Sequence, residues 1–163
     1  MRVIHTDIIM ETVKQMCIEA NIELGRDMTR ALDEAVHSEE SPLGKQILNQ
    51  LEKNLKIAQQ DEIPICQDTG MAVVFIEVGQ NVHIHGEDLE TAINEGIRRG
   101  YQEGYLRKSV VGDPLIRKNT LDNTPGVIHY TIVPGETITI TLAPKGFGSE
   151  NMSRVYMLSL IHI

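Results

Sequence analysis

Apolar and polar positions change their rhythm once along this chain, near Ile63-Pro64. Before that point the spacing is helical. Ile9, Val13, Met16, Cys17 and Ala20 recur at three- and four-residue intervals, with Thr6 or Asp7 available as the N-cap. Gly25 punctuates the pattern, and Met28, Leu32, Ala35 and Val36 carry it onto a second helix. Ser41-Pro42 marks a third start, with Ser as the cap and Pro at the first helical position. Leu43, Ile47, Leu48, Leu51 and Leu55 then share one face. Amphipathic helices of this kind are expected to be scaffold.

Beyond Pro64 the period shortens. Met71 to Val78 is a dense apolar run suited to a buried strand, and Asn81 to His85 suits a short edge strand. Gly86-Glu87-Asp88 opens a helix to about Tyr101, with Leu89, Ala92, Ile93, Ile97 and Tyr101 facing inward. Lys108 to Thr124 lacks a period and predicts a long surface or active-site loop. Val127 to Val133, then Pro134-Gly135, then Glu136 to Leu142 predicts a β-hairpin closed by a turn dipeptide. The expected architecture is α/β (mixed α+β): N-terminal helices, then a mixed β-sheet with flanking helices. It forms one partial domain, with residues 1–60 helical, 61–158 the sheet part carrying the site, and 159–163 a tail of different character.

Composition narrows the field. A chain of 163 residues, 41% of them hydrophobic, can bury a core of its own. That core must be aliphatic, since there is no Trp and only two Phe and four Tyr. A net charge of −8 argues against a broad nucleic-acid surface. Arg98-Arg99, Arg107-Lys108 and Arg117-Lys118 are separated, with acids among them. A local pocket for a small anion stays open. No apolar run approaches the ~20 residues of a membrane span, and the N-terminus carries no signal core. A cytoplasmic location is expected, where Cys17 and Cys66 would remain thiols.

Two stretches carry candidate chemistry. Cys66-Gln67-Asp68-Thr69-Gly70 packs a thiol, an amide, a carboxylate and a hydroxyl just ahead of the buried strand. Such groups are poor core material and suit convergence on a metal or substrate. A tight turn in which Asp68 and Thr69 cap their own backbone accounts for the same residues. Ala143-Pro144-Lys145-Gly146-Phe147-Gly148-Ser149-Glu150-Asn151 offers glycines and a lysine at a strand end, suited to a carboxylate or to a plain exposed turn. It is not a P-loop, and Gly100 and Gly104 close a helix where a dinucleotide fingerprint would open one. His83 and His85 would share one side of a strand, and without a third ligand nearby an edge-strand role is favoured. Cys17 reads as a small buried residue, and His129 as structural.

Taken together, the motifs resemble the class I fumarate hydratases and L(+)-tartrate dehydratases, in their α subunit or N-terminal half. Cys66-Gln67-Asp68-Thr69-Gly70 is joined by Arg98-Arg99-Gly100-Tyr101, Leu106-Arg107-Lys108-Ser109-Val110-Val111, Asp122-Asn123-Thr124-Pro125 and the Lys145 loop. These occur in the family's order from about residue 5 to 158. The resemblance implies a hydro-lyase with a 4Fe–4S cluster held by cysteines and one iron open to a small dicarboxylate. It implies Cys66 as a cluster ligand, Gln67 and Asp68 on the substrate side with Asp68 handling a proton, and Arg107 on a substrate carboxylate. Lys145 and Gly146 would face the substrate. Two further cysteine ligands would lie past the end of this chain, and Leu158-Ser159-Leu160-Ile161-His162-Ile163 leaves the family pattern. The expectation is therefore a truncated chain, inactive alone, whose partners are a β subunit or C-terminal half in a homo- or hetero-oligomer. A non-catalytic binding or assembly module, and an enzyme using another metal through His83 and His85, stand as rivals.

Overall fold

The computed structural model describes residues 2–154 and residue 156, with the backbone alone at 149 and 150. The tail expected at 159–163 lies outside the described residues. The elements run β1 (Arg2–His5), α1 (Thr6–Ile22), α2 (Arg26–Ser38), α3 (Pro42–Asp61), β2 (Met71–Gly79), β3 (Val82–His85), α4 (Leu89–Glu103), β4 (Val127–Val133), β5 (Ile138–Lys145) and α5 (Gly148–Met152). The mixed α/β class is as the sequence predicts. Among the described residues, no helix is long and apolar enough to cross a membrane.

The apolar run of β2 sits at the centre of a three-stranded sheet, in the order β4-β2-β5. Its alternate residues Ala72, Val74 and Ile76 are buried. They meet Ile9, Val13 and Cys17 of α1 and Ile93, Ile97 and Tyr101 of α4 in one core. The two helices approach closely because α4 carries glycines where they touch. A Cβ on Gly96 would stand 2.6 Å from the Met10 carbonyl oxygen, and one on Gly100 2.7 Å from Cys17 Cβ. Small residues at such a crossing replace side-chain bulk with backbone contact.

The expected hairpin is corrected. β4 and β5 do not pair with each other: β2 lies between them, parallel to β4 and antiparallel to β5. Residues 134–137 pass round the far end of β2. There Gly79 and Asn81 donate to the carbonyls of Thr137 and Gly135, and Gln80 to that of Val133. A two-residue turn spans one strand spacing of about 4.8 Å, whereas this longer link spans two. The physical reason is that β2 is the most apolar strand and is stabilised by partners on both edges.

Two smaller expectations also change. Residues 2–5 are a strand, paired in parallel with β3 in a separate two-stranded sheet. The cap of α1 is consequently His5, whose ring accepts from the Asp7 N–H, and neither Thr6 nor Asp7. Thr6 is buried, and its hydroxyl accepts from the Glu87 N–H. Ser41 caps α3 as predicted, accepting from the Gly44 N–H.

Candidate functional site

The site forms where β2 begins and β5 ends, since Met71 is paired with Lys145. The turn 66–70 leads into β2 and the loop 146–148 leaves β5, so antiparallel pairing brings the two side by side. Gly70, at φ 67°, makes the contact possible: a Cβ there would collide with the Lys145 carbonyl. A third segment, the long loop after α4, closes the group through Arg107 and Asn123.

Asp68 joins the first two segments. Its Oδ2 accepts from the backbone N–H of Phe147 at 2.8 Å and of Gly148 at 3.1 Å. The Phe147 N–H first, then that of Gly148, hold its carboxyl below the usual range, with smaller help from Gly70 and the Arg107 guanidinium. Asp68 is thus an ionised acceptor at neutral pH. Asp68 bonds backbone amides as a turn residue would, but the ones nearest its Oδ2 belong to a loop 79 residues away and not to its own turn.

Cys66 is exposed, and its sulfur contacts Gln67 Oε1 at 3.4 Å and accepts from the Asp68 N–H at 3.5 Å. With Asp68, Ile65, Pro144 and Gly146 it lines a recess of about 240 Å³ that reaches Asn21 and Leu24 of the helical part. Gln67 and Arg107 are both exposed beside this turn. The Lys145 ammonium donates to the Gly146 carbonyl at 2.8 Å and lies 3.5 Å from Asn151 Oδ1, so it braces its own loop. All six residues singled out from the sequence therefore belong to three segments in contact.

What the sequence did not single out is the buried clamp beneath them. Tyr101 donates its hydroxyl to the Thr69 carbonyl at 2.8 Å, and Thr69 donates its own to the Arg107 carbonyl at 2.9 Å. The Asn123 amide oxygen accepts from the N–H of Ser109 and Val110, while its amide nitrogen donates to the Gly70 carbonyl. The signal available was a polar residue inside a loop that also carries Arg107. Burial, which the sequence does not record, sets Asn123 apart from its neighbours Asp122 and Thr124.

The other candidates lie apart. Cys17 is wholly buried against α4, and burial pushes its thiol up to about 12. His83 and His85 are exposed on β3, and the His85 ring meets that of His5 edge-on at 5.4 Å. Among the described residues, no group of three or more His, Cys, Asp or Glu is placed to hold a metal ion. His129 stacks on Phe75 on the open side of the sheet.

An exposed thiol, an ionised carboxylate and an exposed arginine thus come from segments that meet where β2 begins and β5 ends. A sequence model of fumarate hydratase (fumerase) matches residues 10–162, and the chain belongs to that family. It is 37% identical over 157 residues to a Methanocaldococcus jannaschii protein provisionally named L(+)-tartrate dehydratase subunit alpha, covering 92% of this chain and 54% of that one. It is 34% identical over 120 residues to the anaerobic class I fumarate hydratase of Escherichia coli, covering 72% of this chain and 22% of that one. Fumarate hydratase 2 of Leishmania major gives 34% over 120 residues, with 72% and 21% covered. The chain thus spans about half the length of the first of these relatives and under a quarter of the other two.

Proposed function

We propose that this chain is an N-terminal portion of the catalytic part of a hydro-lyase. It would add or remove water at a small dicarboxylic acid such as fumarate, malate or L-tartrate. The observation that supports this best is the convergence of Cys66, Asp68 and Arg107 with the 145–148 loop, tied by Asp68 to the Phe147 and Gly148 amides. Arg107 takes one substrate carboxylate, for which a planar guanidinium is suited. Gln67 and Gly146 stand on the substrate side, and Lys145 keeps the loop in shape. Asp68 handles the proton on the carbon next to the leaving hydroxyl. A carboxylate has about four acceptor positions, so two amide contacts leave it capacity.

A 4Fe–4S cluster fits this chain at one corner only. Cys66 is exposed at the recess and can serve as a thiolate ligand. Cys17 does not suit, because it is enclosed and its thiol is held protonated by burial. On this reading the remaining thiolates come from sequence that the longer relatives carry. When bound, the cluster supplies a Lewis-acidic iron to the hydroxyl that departs as water. The partner is a β subunit or C-terminal half, in an assembly of the cytoplasm.

The test is anaerobic reconstitution with iron and sulfide, on residues 1–163 and on the chain extended to its relatives' length with its partner. Hydration of fumarate and dehydration of L-tartrate are followed alongside the iron–sulfur absorbance. The expected result is activity only in the extended assembly, abolished by Cys66→Ser. Asp68→Asn should lower turnover by about two orders of magnitude with the cluster retained. An assembly that turns over neither acid leaves the non-catalytic module as the better reading, and one that works fully with Cys66→Ser overturns the role of Cys66 and the cluster.

A further inference from the structure

A polar side chain with no exposure, in a loop that is mostly open, calls for an account. Asn123 is 0% exposed and adopts φ 64°, a left-handed conformation that Asn tolerates better than most residues. Burying an amide is costly unless its groups are bonded. Here the oxygen takes two N–H groups, from Ser109 at 2.8 Å and Val110 at 3.1 Å, and the nitrogen reaches the Gly70 carbonyl at 3.1 Å. The partners belong to two different segments. One begins two residues after Arg107, and the other lies two residues after Asp68.

Thr69 works from the other side. Its hydroxyl binds the carbonyl of Arg107 itself, and Tyr101 holds the Thr69 carbonyl in turn. The main chain of Arg107 is therefore fixed at its own carbonyl and again two residues on, both times to the turn that carries Cys66 and Asp68. An exposed, flexible arginine gains a defined origin from two buried neighbours.

We infer that Asn123 and Thr69 are positioning residues that set where Arg107 stands relative to Cys66 and Asp68, and so set the reach between the carboxylate grip and the reacting carbon. This rests on the reading of Arg107 given above. Asn is required at 123 because an aspartate would turn a carboxylate oxygen toward the Gly70 carbonyl, and an aliphatic residue would leave three backbone groups unpaired.

The experiment uses the extended assembly, with whichever of fumarate or L-tartrate it turns over. Asn123→Gly keeps the backbone conformation accessible and removes the amide, while Thr69→Val removes only the hydroxyl. If Asn123→Gly fails to fold, Thr69→Val carries the test. The expected result is KM raised on the order of ten-fold or more with kcat changed less, and unchanged iron–sulfur absorbance. Amide exchange at Ser109 and Val110 should quicken in Asn123→Gly while β2 stays protected. Combined with Arg107→Ala, each variant should lose nothing beyond Arg107→Ala alone, since both act through that arginine. Normal KM in a folded Thr69→Val or Asn123→Gly, or losses that add fully to those of Arg107→Ala, would overturn the inference while leaving the function standing. If Arg107→Ala itself keeps wild-type kcat/KM, or neither acid is turned over, the reading of Arg107 fails and this inference with it.

Discussion

α1 and α4 on one hand, and α2 and α3 on the other, are similar in sequence pattern and opposite in fate. All four are amphipathic. α1 and α4 bury Ile9, Val13, Cys17, Ile93, Ile97 and Tyr101 against β2. α2 buries nothing, and α3 buries only Ala58. Leu43, Ile47 and Leu51 share the face read from the sequence, yet each is exposed. An apolar stripe states which side of a helix seeks cover. It does not state whether a partner within the same chain supplies it.

The sharpest way to break this contrast is to truncate matched residues. Ile97→Ala should cost about 2–5 kcal/mol of unfolding free energy. Ile47→Ala, with half its side chain already in water, should stay within about 0.5 kcal/mol. Denaturant melts of the two variants against wild type measure both, and equal losses would mean that the α2–α3 pair is packed as tightly as the core.

A smaller loss is expected from Gly100→Val, which sharpens the claim that α1 and α4 meet through backbone. The new side chain would press on Cys17 Cβ and the Lys14 carbonyl. Overpacking of this sort costs roughly 1–3 kcal/mol. The same denaturant melts should show it, whereas Gly44→Val in the exposed pair, where the nearest atoms belong to the flexible Glu39 side chain, should cost little, since Val is no worse a helix former than Gly.

The smallest effect is local and depends on pH. The carboxyl of Asp68 is held below its ordinary value, so the folded state binds its proton less readily than the unfolded chain does. Its contribution is full above the unfolded value of about 3.9, and is lost as pH falls through the depressed folded value. Protection of the Phe147 and Gly148 amides against exchange should follow that course, and Asp68→Asn should weaken it at neutral pH and flatten its pH dependence. Protection in Asp68→Asn equal to wild type at neutral pH would remove the carboxylate from the loop's support.

These contrasts also mark how far the sequence could be read. Helix starts with a chemical signature, such as Ser41-Pro42 and Asp88, were legible because capping is a local bond. The turn 66–70 stood out because reactive side chains ahead of an apolar strand are locally unusual, whereas Arg107, Lys145 and Gly146 drew roles only through the resemblance. Pairing was not legible. Val127–Val133 and Ile138–Lys145 alternate as hairpin strands should, and nothing in either segment records that β2 will insert between them. β1 was missed for the same reason, since four residues gain strand character only from β3. The clamp of Thr69, Tyr101 and Asn123 escaped because its meaning lies in burial, which spacing does not encode.

The central place of β2 has a consequence for how the chain is made. Neither edge of β2 can be paired until synthesis has passed Val127, and its second edge waits for Ile138. At roughly 5–20 residues per second, that leaves an apolar strand without partners for several seconds. During that interval α1, already complete, and α4, finished at Glu103, can shelter one side of it. The other side and both edges stay open to neighbouring nascent chains. The order of elements thus makes the helices act first as a temporary cover, and a weakened α1–α4 contact should show up as lost yield in the cell before it shows as a lower melting temperature.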